Sequence, residues 1–116
     1  METRPFDARV RRSDGAVVLD LSGEINASAA TQLNAAYAEA GPGDGAPVLL
    51  NFADVDYINS TGIAVIVGIL ARARQEGRRI LACGLTDHYT EIFRITHLSD
   101  FMTMFPDEPS ALSETA

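Results

Sequence analysis

Cysteine occurs once in the 116 residues, at Cys83. A single thiol excludes an internal disulfide and fits a reducing compartment. Basic residues are few, 9 against 16 acidic, for a formal net charge of −7. No basic run exceeds Arg11-Arg12 or Arg78-Arg79, so the electrostatic footprint of a nucleic-acid binder is missing. The longest apolar run, Ile63 to Ala71, has nine residues, against about 20 for a helix that crosses a bilayer. Direct membrane insertion is therefore not expected. The opening Met-Glu-Thr-Arg-Pro-Phe-Asp has no signal-peptide core, and the expected location is cytoplasmic. There is no Gly-x-Gly-x-x-Gly and no phosphate-cradling Gly-Lys-Ser/Thr loop, so the chain is not expected to bind ATP itself.

What is present is 47% apolar sequence, enough for one domain with a real core and too little for two. The expected domain spans 1–116, with its core at about 6–105 and a tail at 106–116 that is a weak helix or unstructured. Phe6, Ala8 and Val10 alternate with polar neighbours, the period of a half-buried strand. Ser13-Asp14-Gly15 is a hairpin turn, and residues 16–21 read as the return strand. A loop, 22–27, leads to a helix capped by Asn26 or Ser28 and running to about Ala40, with Ala29, Leu33, Ala36, Tyr37 and Ala40 on one face. The Gly- and Pro-rich stretch 41–47 breaks it, and reads as the least ordered segment before the tail. Val48 to Phe52 reads as a central strand covered on both faces. Residues 79–84 form a further strand, Asp87 opens a helix with Tyr89, Ile92, Phe93 and Thr96 turned inward, and a short edge strand follows at about 102–105. The order ββαβαβα(β)(α) implies an α/β fold: a mostly parallel sheet of four or five strands, an N-terminal hairpin and three to four helices.

The chain is organised around Asn51-Phe-Ala-Asp-Val-Asp-Tyr-Ile-Asn-Ser-Thr-Gly62, where a strand end becomes a helix start. Ser60 and Thr61 stand at that junction. Helix N-termini have unsatisfied N–H groups and partial positive charge. A hydroxyl there serves as an N-cap, and an added phosphate is accommodated. The helix that follows, about 60–76, is apolar all round in its first half. Ala64, Gly68 and Ala71 form a small-residue stripe expected to lie close to the sheet, and the surplus apolar faces suggest a docking surface for a partner.

As an enzyme the chain is poorly equipped. His88 and His97 read as helix-end histidines with no metal-ligand spacing. Asp54 and Asp56 read as turn formers in a loop heading for the helix. Cys83, inside a buried strand, reads as a small core residue. No cofactor, metal or catalytic residue is expected.

The stretch Asp54-x-x-Tyr57-Ile-Asn-Ser-Thr-Gly-Ile63, with Leu21-Ser-Gly-Glu-Ile-Asn26 before it and Gly77-Arg-Arg-Ile-Leu81 after, resembles the STAS domain, and more narrowly the bacterial anti-sigma factor antagonists. The resemblance covers about Phe6 to Phe105. It implies a protein-interaction module of transcription regulation by partner switching, a phosphoprotein and no enzyme. Its partner would be an anti-sigma factor that is also a serine kinase of the histidine-kinase-like ATPase type, with a PP2C-type phosphatase reversing the modification. The position matching the family's phosphoacceptor is Ser60. Asn26, Asp54, Asp56, Asn59, Thr61, Gly62 and Ile63 are the supporting phosphosite or partner-contact positions. Two residues depart from the pattern: Asn26 and Asn59 stand where Asp is usual. That leaves a constitutive, non-phosphorylated binder as one alternative, and a soluble STAS subunit of an anion or lipid transport system as another.

Overall fold

The computed structural model describes residues 4–41 and 46–114; the expectation for the middle of the 41–47 loop lies outside the described residues. One five-stranded sheet carries the fold, its strands neighbouring one another in chain order. They are β1 (Asp7–Ser13), β2 (Ala16–Ile25), β3 (Val48–Ile58), β4 (Ile80–Cys83) and β5 (Thr103–Phe105). β1 runs antiparallel to β2, and β2 to β5 are mutually parallel. The hairpin turn places Asp14 at φ 48° and Gly15 at φ 83°, the two positive dihedrals that a twisted two-residue connection requires. The α/β architecture expected from the element order is the one found.

Helices α1 (Ala30–Glu39), α2 (Ser60–Gln75) and α3 (Asp87–Ile95) are joined by α4 (Glu108–Ser113), with 3-10 turns at Ala27–Ala29 and Leu98–Asp100. The larger core sets Leu33, Tyr37, Ile66, Ile69 and Phe93 against Leu19, Leu21, Val48, Leu50 and Phe52 of the strands, with Phe52 and Phe93 edge to face at 6.0 Å. The opposite face is smaller: Ala16, Val18, Leu49, Leu81 and Cys83 lie under Ala111 and Leu112 of α4. Burial pushes the Cys83 thiol up to about 11, which suits a core residue and not a nucleophile. On that face Arg11 binds Asp20 through Nε at 2.5 Å and Glu108 through Nη1 at 3.0 Å, and Asn51 donates to Asp20 at 2.9 Å.

Four local expectations are corrected. The segment 22–25 is strand, not loop, and β3 runs on through Asp54 and Asp56 to Ile58. The two strands support each other in parallel, Ser22 against Asp54 and Ile25 against Ile58, with register shifts between Asp20 and Ser22 and between Gly23 and Glu24. Asp54 and Asp56 are therefore strand residues and not turn formers. The small-residue stripe of α2 points to solvent: Ala64, Gly68 and Ala71 are exposed, because the inward face is set by Ile66, Ile69, Leu70 and Ala73 at i, i+3, i+4 and i+7. Thr96 is exposed at the C-terminal end of α3, its hydroxyl donating to Ile92 O at 2.7 Å.

One buried cation ties α1 to the sheet. Arg78, 6% exposed, donates to the carbonyls of Ala40, Gly41 and Ala46 at 3.2, 2.6 and 3.0 Å, and its guanidinium lies beside the Tyr37 ring. Three carbonyl acceptors compensate the desolvated charge.

Candidate functional site

β3 ends at Ile58 and α2 begins at Ser60, with Asn59 between them in extended conformation. Asn59 is the N-cap, correcting the expectation that a hydroxyl fills that role. Its Oδ1 accepts the Gly62 N–H at 2.8 Å and the Thr61 hydroxyl at 2.7 Å. Its own N–H donates to Ile25 O at 3.2 Å, and its carbonyl accepts the Ile63 N–H at 2.9 Å. Asparagine caps well because its amide oxygen reaches the first-turn donors.

The two hydroxyls are treated differently. Thr61 Oγ1 is used twice, donating to Asn59 and accepting the Ala27 N–H at 3.0 Å. It buttresses the cap and ties α2 to the turn before α1. Ser60 is exposed, and among the described residues nothing hydrogen-bonds its hydroxyl. It sits in the first turn, where the N–H groups of Ser60 and Thr61 have no intrahelical acceptor.

Gly62 explains how close this junction lies to β2. A Cβ there would fall 1.9 Å from Ile25 O, so only glycine lets the helix start against that carbonyl. Ile63 is half-buried against the larger core. At the neighbouring strand end Asn26 is a second Asn cap, its Oδ1 accepting the Ser28 N–H at 2.9 Å and the Ser28 hydroxyl at 2.5 Å. Asn26 and Asn59 thus both spend their oxygens on capping.

Asp54 and Asp56 are exposed further back on β3. Arg4 reaches across to bind Asp56 at 2.8 and 3.0 Å and the carbonyl of Asp54 at 2.7 Å. The hydrogen bond from Arg4 holds the Asp56 carboxyl below its usual range. Among the described residues neither carboxylate takes part in the hydrogen bonds of the Asn59 cap.

Two participants escaped the sequence. Arg4 lay in a stretch with no strand or helix pattern. Tyr89 reads from the sequence as a core residue and is half-buried against the larger core, yet its hydroxyl accepts the Ile58 N–H at 2.9 Å and faces Ile58 O at 3.4 Å. A side chain that bonds to backbone leaves no partner residue type to look for.

A family model described as "Mlab, STAS domain" matches residues 8–105. With BtrV of Bordetella bronchiseptica the chain shares 32% identity over 93 residues, 80% of this chain and 78% of that protein. With the anti-sigma-B factor antagonist of Listeria monocytogenes it shares 32% over 82 residues, 71% and 72% of the two chains. The solved structure of the Bacillus cell fate determinant SpoIIAA in its phosphorylated form superposes with a TM-score of 0.69 at 20% identity, over 97% of this chain and 100% of that one. The described residues contain no helix long and apolar enough to cross a membrane. A strand-to-helix junction capped by asparagine, set in a sheet of this order and matched over most of its length by that family model, is enough to conclude that the chain belongs to the STAS domain family, on the side of the anti-sigma factor antagonists.

Proposed function

We propose that the chain is an anti-sigma factor antagonist whose binding to an anti-sigma factor with serine kinase activity, of the histidine-kinase-like ATPase type, is switched by phosphorylation of Ser60. The observation that carries this reading is the inequality of the adjacent hydroxyls: Thr61 is tied to Asn59 and Ala27, while Ser60 is exposed and unbonded among the described residues. An incoming kinase meets one available oxygen. The Ser60 oxygen takes the γ-phosphoryl group of the partner's ATP, its proton leaves, and ADP departs.

The fold tolerates the product. A dianion in the first turn of α2 lies where the free N–H groups and the helix dipole favour it. Asn59 is neutral, so no neighbouring carboxylate in the cap repels the phosphate, and its amide NH2 group makes no hydrogen bond among the described residues. The effect falls on the partner. α2 presents Ser60, Ala64, Val67, Gly68 and Ala71 to solvent along one side, an apolar face over which a protein docks, and charge at its head opposes that docking. A PP2C-type phosphatase restores the binding form.

Co-expression with the native anti-sigma factor followed by mass spectrometry tests the site, with phosphate expected on the peptide at Ser60 and absent in Ser60→Ala. Ser60→Asp is expected to lose partner binding while changing unfolding free energy by under about 0.5 kcal/mol. Phosphate on Thr61 in the wild type, or undiminished binding by Ser60→Asp, removes the switch.

A further inference from the structure

The side of β3 opposite β2 poses a question that the phosphosite itself does not answer. β4 pairs with β3 only from Val48 to Asn51, so the outer half of β3 continues past its neighbour. Backbone groups of successive strand residues point to opposite sides, and the N–H and C=O of one residue point to the same side. Asn59 N–H points at Ile25 of β2. Ile58, one residue earlier, therefore aims both of its polar backbone groups away from β2, to the side where β4 has ended. Ile58 is only 4% exposed, and an unpaired buried N–H is costly.

Tyr89 of α3 occupies that position. A phenol is donor and acceptor in one atom, and here the hydroxyl accepts the Ile58 N–H at 2.9 Å and lies within donating distance of Ile58 O at 3.4 Å. It stands in for the missing strand with a single oxygen. The hold is placed at the root of the site, since the next residue is the Asn59 cap and the one after is Ser60.

Resting on the reading of Ser60 as phosphoacceptor, we propose that Tyr89 is a positioning residue for Ser60: its hydroxyl fixes the end of β3 from the α3 side and carries changes at Ser60 into α3. Among the described residues the cap network reaches β2 and the turn at Ala27. Tyr89 gives the site a second anchor on a different helix, whose outer face includes Ile95, 68% exposed. A partner seated at Ser60 and a change on α3 are coupled through that hydroxyl.

The test is NMR on the full 15N-labelled chain. Tyr89→Phe keeps the ring and removes the oxygen. Hydrogen exchange at the Ile58 amide is expected to quicken by about tenfold, the worth of one ordinary hydrogen bond, while the amide of Ile66 in α2 keeps its wild-type protection. In the wild-type background Ser60→Glu is expected to shift the amides of residues 90–93, and Tyr89→Phe is expected to abolish that response. The second result is one a merely structural tyrosine would not give. Unchanged exchange at Ile58 in Tyr89→Phe overturns the proposal, as does a wild-type α3 that ignores Ser60→Glu; the latter needs no Tyr89 variant and so stands even if Tyr89→Phe fails to fold. The exchange arm uses the unmodified chain, so it is decided independently of whether a kinase phosphorylates Ser60.

Discussion

On one face of the sheet Leu33, Tyr37, Ile66, Ile69 and Phe93 are each at most 1% exposed, whereas on the other a six-residue helix supplies Ala111 and Leu112 and leaves much of the joining to Arg11, Asp20 and Glu108. Apolar burial of the first kind contributes roughly 25 cal/mol per Å² and is not weakened by electrostatic screening. Partly exposed ion pairs of the second kind contribute about 0–1 kcal/mol each and weaken with it. Ser60, Asn59 and Gly62 all grow from the edge of the first face. The site is mounted on the larger apolar core, where the phosphate proposed for Ser60 would be carried without unsettling the fold.

That contrast is most directly broken by cavities. Ile66→Ala is expected to cost about 4 kcal/mol in urea unfolding and Leu112→Ala about 2 kcal/mol; equal losses would erase the distinction between the faces. Glycines sharpen it next. Gly62→Ala is expected to cost about 3 kcal/mol, since its Cβ has nowhere to go beside Ile25 O, whereas Gly68→Ala on the open side of the same helix, with nothing within 4 Å, is expected to stabilise by up to about 1 kcal/mol. Thermal melts of the pair would reverse in order if the packing of α2 were otherwise.

A smaller effect is expected at the cap. Asn59→Ala removes the acceptor for Gly62 and Thr61 and is expected to cost about 1 kcal/mol, with Asn59→Asp retaining most of it. The smallest effect is electrostatic and lies on the α4 face. Arg11, with help from Asn51, holds the Asp20 carboxyl below its usual range. A depressed folded pKa gives stability that is present above the ordinary carboxylate range and lost as pH falls through the folded value. Asp20→Asn is therefore expected to be slightly less stable at neutral pH and to lose less on acidification than the wild type, read as melting temperature against pH.

The sequence made the hairpin, the succession of elements along the chain and the place of Ser60 at a strand-to-helix junction readable, because period, turn chemistry and motif are all local. It hid what depends on distant backbone. The adjacent Ser60 and Thr61 looked like the cap, but the residue before them reaches the Gly62 N–H first. Gly68 looked like the point of close approach, since it lies in a stripe with Ala64 and Ala71, yet the approach is made by Gly62 against a carbonyl on β2. β2 and β3 run further than their apolar residues suggest, because each outer half is paired to the other, Ser22 against Asp54 and Ile25 against Ile58. The short segment after Pro106 looked weak, and α4 has few residues; its burial comes from the empty side of a sheet that no local pattern describes.

Arg78 has a practical bearing. By gripping Ala40, Gly41 and Ala46 with one side chain, it holds the end of α1 and the approach to β3 at a fixed separation. Because one guanidinium holds all three carbonyls, Arg78→Ala would release the end of α1 and the start of β3 together, while Arg78→Lys, with a single ammonium, keeps only part of the grip.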